Sequence, residues 1–258
     1  MKAVILAGGL GSRLSEETHN KPKPMVEIGG KPILWHIMKI YASHNIKEFI
    51  ICCGYKGNKI KEYFKNYSLN NSDVIINNQQ NEFKFHKGKK DSWKVTLIDT
   101  GQKTLTGGRL KRVGKYLKNE ELFFFTYGDG VANFNMQDQI KFHKKHKKIC
   151  TVLAVRPPSR YGALEINKSG KVKSFDEKPE KGEGHINGGF FILSPKCLKF
   201  ISGDSSIWET NVLTKLVKAN QMMAFNKYNF WHPMDTQRDK NFLEKIWIQK
   251  KAHWKNWK

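Results

Sequence analysis

Apolar residues follow two rhythms along the first 155 positions of the chain. Short apolar runs lie at 2–7 (KAVILA), 49–53 (FIICC) and 149–155 (ICTVLAV), within 121–130 (ELFFFTYGDG), and more loosely at 93–100 (WKVTLIDT). Such runs predict strands buried on both faces. Between them, residues 32–44 (PILWHIMKIYASH) open with a proline suited to a first helical turn and then repeat apolar residues at helical spacing. Further helices are predicted at about 58–67, 107–118 and 136–147. Strand and helix alternate, which predicts an α/β fold: a Rossmann-like, mostly parallel sheet with helices on both faces and right-handed crossovers.

The texture changes after about residue 156. YGALEI, KVKSF and INGGFFIL are short runs separated by glycine and lysine. They predict a small antiparallel β region appended to one side of the core, before a last helix at 237–250. Residues 68–92 are polar and asparagine-rich, an excursion predicted to carry two short strands, VIIN and FKFH. No linker, repeat or low-complexity tract interrupts the pattern, so residues 1–258 are expected to form a single domain, with 157–258 as its C-terminal part.

Composition narrows the class. The chain of 258 residues is long enough for a sizeable core, and its 39% hydrophobic content, spread along the length, argues against disorder. No run of eighteen apolar residues exists to span a membrane. The opening apolar run stops at Gly8-Gly9 without a small-residue cleavage site and reads as a first strand rather than a leader. Cys52, Cys53, Cys150 and Cys197 contain no C-x-x-C pair and read as reduced, buried thiols of a cytoplasmic protein. The net charge of +23 first suggests nucleic acid. The lysines are dispersed, however, and the densest clusters, HKKHKK (143–148) and HKGKK (86–90), lack an arginine-aromatic pattern. No specific nucleic-acid partner is expected, only nonspecific attraction to polyanions. His143 and His146 have the wrong spacing for a zincin helix and read as surface residues.

Candidate chemistry gathers where strands end, the place where open parallel sheets bind ligands. The first strand runs into Gly8-Gly9-Leu10-Gly11-Ser12-Arg13. A dinucleotide fingerprint starting at Gly9 needs glycine where Leu14 stands, and a Walker A loop starting at Gly8 needs glycine, lysine and serine or threonine where Arg13, Leu14 and Ser15 stand. The glycines still let backbone amides approach a polyphosphate, although a tight strand-to-helix connection would also use them. Arg13 can fork onto phosphate oxygens. Lys23 sits in a loop stiffened by the prolines of KPKP. Asp129, between two glycines at a strand end, reads as a ligand for a cation or as an ordinary turn aspartate. Asp235, after Pro233-Met234, is a weaker signal alone. The pair together would suit Mg²⁺, which takes one or two carboxylates plus phosphate oxygens.

GGLGSRL followed by KPKPM resembles the signature G-G-x-G-T/S-R-L…K-P of the sugar nucleotidylyltransferases. Nearly end to end, PMVEIGGKPILWHIMK, IICCGYKG, TGGRLKRV, TYGDGV, INGGFF and PMDTQRDK are similar to the branch that uses CTP and glucose 1-phosphate. The resemblance implies transfer of CMP from CTP to α-D-glucose 1-phosphate, by in-line displacement at the α-phosphorus. The products are CDP-glucose, a precursor of 3,6-dideoxyhexoses in surface polysaccharide such as lipopolysaccharide O-antigen, and pyrophosphate. It implies that Leu6, Gly8, Gly9, Gly11, Ser12 and Arg13 hold the nucleotide, with Lys23 at the reacting phosphorus and Thr106 and Arg109 on the base side. Asp129 and Asp235 would hold Mg²⁺. Tyr161 and Gly162 would line the sugar pocket, Glu177 and Lys178 would face the sugar phosphate, and Asn187 and Gly188 would lie nearby. Arg13, Lys23, Asp129, Lys178 and Asp235 form the implied catalytic set. Relatives assemble as oligomers, so a homo-oligomer is implied, with 68–92 as a candidate contact. The chain departs from the pattern at Ser12 (usually threonine), Tyr161 (phenylalanine), Gln237 (leucine) and His253 (proline). UTP or dTTP in place of CTP is the alternative within the same class.

Overall fold

The structure, a computed structural model, describes residues 1–86, 91–157, 163–166, 171–176 and 184–257. Its elements in chain order begin β1 (Lys2–Ala7), α1 (Ile33–Ser43), β2 (Glu48–Cys53), α2 (Gly57–Lys65), β3 (Asp73–Asn77), β4 (Glu82–His86), β5 (Lys94–Asp99) and α3 (Thr106–Val113). They continue with β6 (Phe123–Tyr127), β7 (Gly130–Asn133), α4 (Met136–His146), β8 (Cys150–Val155), β9 (Ala163–Ile166) and β10 (Val172–Asp176). The last are β11 (Ile186–Leu193), β12 (Met222–Phe225), β13 (Phe230–Pro233) and α5 (Gln237–Ile248).

Seven strands form the central sheet in the order β12-β8-β11-β6-β1-β2-β5. All pairings are parallel except those of β11, which is antiparallel to both neighbours. The continuous apolar runs follow from burial on both faces. Ala3, Ile5 and Ala7 of β1 and Phe124 of β6 enter one core, while Val4, Leu6, Phe123 and Phe125 enter the other. Helix α1 covers the first face, and α3 with Trp208 covers the second.

The INGGFFIL segment is antiparallel as expected, but it is not appended to the sheet. It lies third from one edge, between β8 and β6. The physical reason is burial: Phe190, Phe191, Ile192 and Leu193 are at most 1% exposed. Only an interior strand hides four consecutive side chains. YGALEI and KVKSF contribute β9 and β10, which pair antiparallel in a separate two-stranded sheet. The 68–92 excursion carries the β3–β4 hairpin, with Ile75, Ile76, Phe83 and Phe85 exposed.

One further difference concerns a histidine. His143 is buried rather than on the surface, and both it and His146 hydrogen-bond Thr151 Oγ1, at 2.8 and 2.7 Å. His36 is fully buried, which pulls its pKa down to about 4. The neutral ring donates from Nε2 to Ile28 O at 2.8 Å and accepts the Trp254 indole N–H on Nδ1 at 3.3 Å, tying the C-terminal segment to α1. The four cysteines are free and buried. Among the described residues, no helix is long and apolar enough to cross a membrane.

Because β1, β2, β5 and β6 are parallel, their C-terminal ends share one edge. Antiparallel β11 starts at that same edge, delivering Asn187, Gly188 and Gly189 to it. A β-ribbon completes the arrangement. β13 pairs with β7, with Pro233 opposite Gly130, and Met234 N donates to Asp129 O at 2.7 Å. This ribbon brings Asp235 beside Asp129.

Candidate active site

Lys23 is the centre of the edge. Its short 3-10 turn, Lys23–Met25, follows Pro22 and contains Pro24, closed by Met25 N to Pro22 O at 2.8 Å. The ammonium is almost enclosed and donates to Asp129 Oδ2 at 2.8 Å and Asp235 Oδ1 at 2.7 Å. Arg13 Nη1 reaches the other oxygen of Asp235 at 3.0 Å, yet 70% of its side chain is exposed. Burial alone would lower the Lys23 pKa, but the two carboxylates outweigh it and the net shift is upward. Burial would raise the Asp235 pKa, but Lys23 and Arg13 carry it below its ordinary value. Lys23 and Asp235 therefore keep opposite charges throughout the range between their ordinary values of 3.8 and 10.5.

Two carboxylates that converge on one cationic atom also suit a divalent cation. Among the described residues, no cluster of three or more His, Cys, Asp or Glu side chains forms a cage. Two hard oxygen donors, with the remaining positions left to water and phosphate, match the coordination habit of magnesium. The residues present fit that ion.

The glycine loop lies above this cluster. Gly11 adopts a left-handed φ of 67°, and a Cβ there would come within 2.9 Å of Thr18 Cγ2. Gly9 faces open space. A cavity of about 250 Å³ is lined by Leu6, Gly9, Gly11, Ser12, Arg13, Lys23, Thr106 and Asp129, among others. The structure thus brings together most of the residues assigned to the nucleotide.

Arg109 and Gly8 are placed differently. Arg109 is 4% exposed, and its guanidinium is engaged by the protein itself. Nη1 donates to Thr100 Oγ1 at 2.7 Å, Gly101 O at 2.8 Å and Cys53 O at 3.2 Å. Nη2 donates to Gly8 O at 2.9 Å and Gln102 O at 3.3 Å. Five oxygens share the four Nη hydrogens. A Cβ on Gly8 would lie 2.2 Å from Nη1, and one on Gly54 would lie 2.3 Å from it. These glycines make room for an arginine that joins the ends of β1, β2 and β5. Gly107 and Gly108 are likewise packing positions, against the backbone of Ser206 and Asp204.

Arg109→Lys keeps the charge but loses the fork. It is expected to cost about 2–4 kcal/mol through lost or unsatisfied hydrogen bonds, lowering Tm by roughly 5–10 °C. Calorimetry checks this, and an unchanged Tm would show that the pinned loops do not depend on the guanidinium.

A second cavity, about 420 Å³, adjoins the first and shares Arg13, Thr106, Tyr127 and Asp129 with it. Asn187, Gly188, Glu209 and Trp231 complete much of its wall. Asn187 Nδ2 donates to Tyr127 Oη at 3.2 Å, and Trp231 Nε1 donates to Gly188 O at 2.7 Å. Tyr161, Gly162, Glu177 and Lys178 lie outside the described residues. Sequence reasoning missed Tyr127, Glu209 and Trp231. Tyr127 had a signal, standing two positions before Asp129 at a strand end, whereas Glu209 is an isolated acid with none.

A glycine loop, a buried lysine and two convergent carboxylates at the carboxyl edge of a parallel sheet define a site for moving nucleotidyl groups. The chain belongs to the nucleotidyl transferase family, whose sequence model matches residues 2–244. Over 257 residues it is 56% identical to the glucose-1-phosphate cytidylyltransferase of Salmonella typhimurium, covering the whole of both chains. It is 41% identical over 258 residues to a probable glucose-1-phosphate cytidylyltransferase of Bacillus subtilis, again with full coverage of both. Among solved structures it is similar to HddC from Yersinia pseudotuberculosis complexed with GMP-PN. That match has a TM-score of 0.69 and 26% identity, over 95% of this chain and 99% of that one.

Proposed function

We propose that the protein transfers CMP from CTP to α-D-glucose 1-phosphate, forming CDP-glucose and pyrophosphate. The observation that carries this reading is the Lys23–Asp129–Asp235 cluster beneath the glycine loop, in a chain so similar throughout to a cytidylyltransferase.

The sugar phosphate oxygen attacks the α-phosphorus, forming one P–O bond while the bond to the β-phosphate oxygen breaks. That nucleophile is already ionised, so no strong general base is required. The difficulty is repulsion between two polyanions, several kcal/mol where screening is poor. Arg13, whose side chain is mostly exposed, receives the triphosphate. Lys23 stands at the reacting phosphorus and offsets the charge that develops there. Asp129 and Asp235 would hold Mg²⁺, which when bound neutralises phosphate oxygens and orients them for in-line displacement. Asn187 and Gly188, with Tyr161, Gly162, Glu177 and Lys178, take the sugar phosphate. With Arg109 committed to the fold, base choice falls to backbone groups beside the glycine loop. Cytosine accepts at its ring nitrogen and donates from its amine, and uracil does the reverse. The product would serve dideoxyhexose synthesis in the cytoplasm. The exposed apolar hairpin β3–β4 would join copies of the chain.

The test is kcat/KM with glucose 1-phosphate for CTP, UTP, dTTP and GTP, with products identified by mass. One base mismatch should give CTP an advantage of roughly 10- to 100-fold over UTP. Equal use, or preference for UTP or dTTP, would sink the cytidylyl reading. The same sample should show a solution mass above that of the 29.9 kDa chain, and a monomer would remove the hairpin contact.

A further inference from the structure

Three carboxylates line the second cavity among the described residues: Asp129, Asp235 and Glu209. The first two face Lys23. Glu209 instead receives neutral hydroxyls, Tyr127 Oη donating to Oε1 at 2.5 Å and Thr106 Oγ1 to Oε2 at 2.8 Å. Its position is firmly set. Residues Trp208–Leu213 form a π-helical turn, the widened form that often marks functional sites. Trp208 is fully buried, with its ring 5.0 Å from Phe125 and 5.6 Å from Phe191, and its backbone N–H donates to Thr106 Oγ1 at 2.8 Å. Trp208 thus anchors the turn in the core and ties it to Thr106 of α3, to which Glu209 itself is also hydrogen-bonded.

A carboxylate offers about four acceptor positions, and the two hydroxyls leave capacity on the cavity side. Its negative charge is not neutralised by hydroxyl donors, so it disfavours a phosphate and favours neutral groups that donate. Arg13 also lines this cavity, and Lys23 lines the adjoining one, so anion-accepting groups stand on the side the two cavities share. We infer that Glu209 is a specificity residue for the sugar phosphate, accepting a hydrogen bond from a ring hydroxyl while Tyr127 and Thr106 hold its carboxylate in place. This rests on the second cavity being the sugar side of the proposed reaction. The ligand class is a hexose 1-phosphate whose phosphate points toward Lys23 and whose hydroxyl points toward Glu209. A site that hydrogen-bonds a hydroxyl discriminates against the analogue lacking it, because the half-buried carboxylate then loses one of its donors.

The experiment compares the full-length wild type and Glu209→Gln. It uses the hexose 1-phosphate and nucleotide that the wild type turns over fastest, with singly deoxygenated analogues of that sugar. A wrong substrate assignment thus shows in the wild type with the parent compounds, before any variant is compared. In the wild type, one analogue should lose roughly 10- to 100-fold in kcat/KM relative to the parent. In Glu209→Gln, the parent should fall to about that analogue's level, the analogue should fall little further, and the nucleotide KM should stay within about threefold. Glu209→Gln discriminating among the analogues as the wild type does would overturn the assignment. So would equal rises in sugar and nucleotide KM, the mark of a merely structural role. Should the variant fold poorly, the wild-type series decides alone: no deoxy analogue weakened tenfold means that no hydroxyl is read.

Discussion

Lys23→Met is expected to lower kcat at least about a hundredfold, since losing a charge that stabilises a phosphoryl transition state costs roughly 3–4 kcal/mol. The geometry gives the variant a second signature. Lys23 Nζ lies within 2.8 Å of both carboxylates, so its removal leaves Asp129 and Asp235 facing one another across an uncharged side chain. Like charges at close range destabilise the fold and favour protonation of one partner. The variant should therefore melt below the wild type in metal-free buffer near pH 7 and recover more than the wild type does when Mg²⁺ is added. Steady-state kinetics and melting curves with and without Mg²⁺ measure both effects. A folded variant with near-normal kcat would remove Lys23 from the mechanism.

Asp129→Asn and Asp235→Asn should each abolish Mg²⁺-dependent turnover while leaving Tm within a few degrees. An amide keeps the shape but loses the charge a hard cation requires. Binding of Mn²⁺, followed by its own spectroscopic signal, separates loss of the ion from loss of later steps. Each substitution should weaken that binding in the absence of substrates. Unchanged metal dependence in either variant would make that aspartate an ordinary turn residue. Asp235→Asn carries a further signature in acid. The Asp235 pKa lies below its ordinary 3.8, so wild-type Asp235 adds stability above that value and loses it as pH falls through the lower, folded one. Asp235→Asn should lack this component, giving a shallower loss of stability below pH 4.

The interior strands were legible because a strand covered on both faces must be apolar at successive positions, as Val4, Ile5 and Leu6 are. The same rule applied to Phe190–Leu193 would have put INGGFFIL inside the sheet, but its glycines and lysine-rich flanks suggested a peripheral ribbon. β12 and β13 were not foreseen, being four residues each with only partial burial. The glycine loop, Arg13, Lys23 and Asp129 could be picked out one by one at strand ends. Their convergence could not, because Asp235 reaches Asp129 only through the β7–β13 ribbon, a pairing between segments far apart in the chain. Arg109 shows a different limit. An arginine beside glycines reads alike whether its partner is a ligand or the carbonyls of its own fold, and nothing in the sequence marks its near-complete burial. Glu209 depends on a π turn, which leaves no periodic trace in six residues.

The Arg109 pin sets a rule for redesign. Gly8, Gly54 and Arg109 interlock: a methyl group on either glycine would overlap the guanidinium, and a smaller residue at 109 would strip several carbonyls of their donor at once. A loop grafted from a relative with another nucleotide preference must therefore bring compatible residues at all three positions or leave all three alone. Single exchanges among them would damage the scaffold before they altered the choice of base. The side chains open to retuning are those that face the cleft without bearing on this knot, such as Ser12.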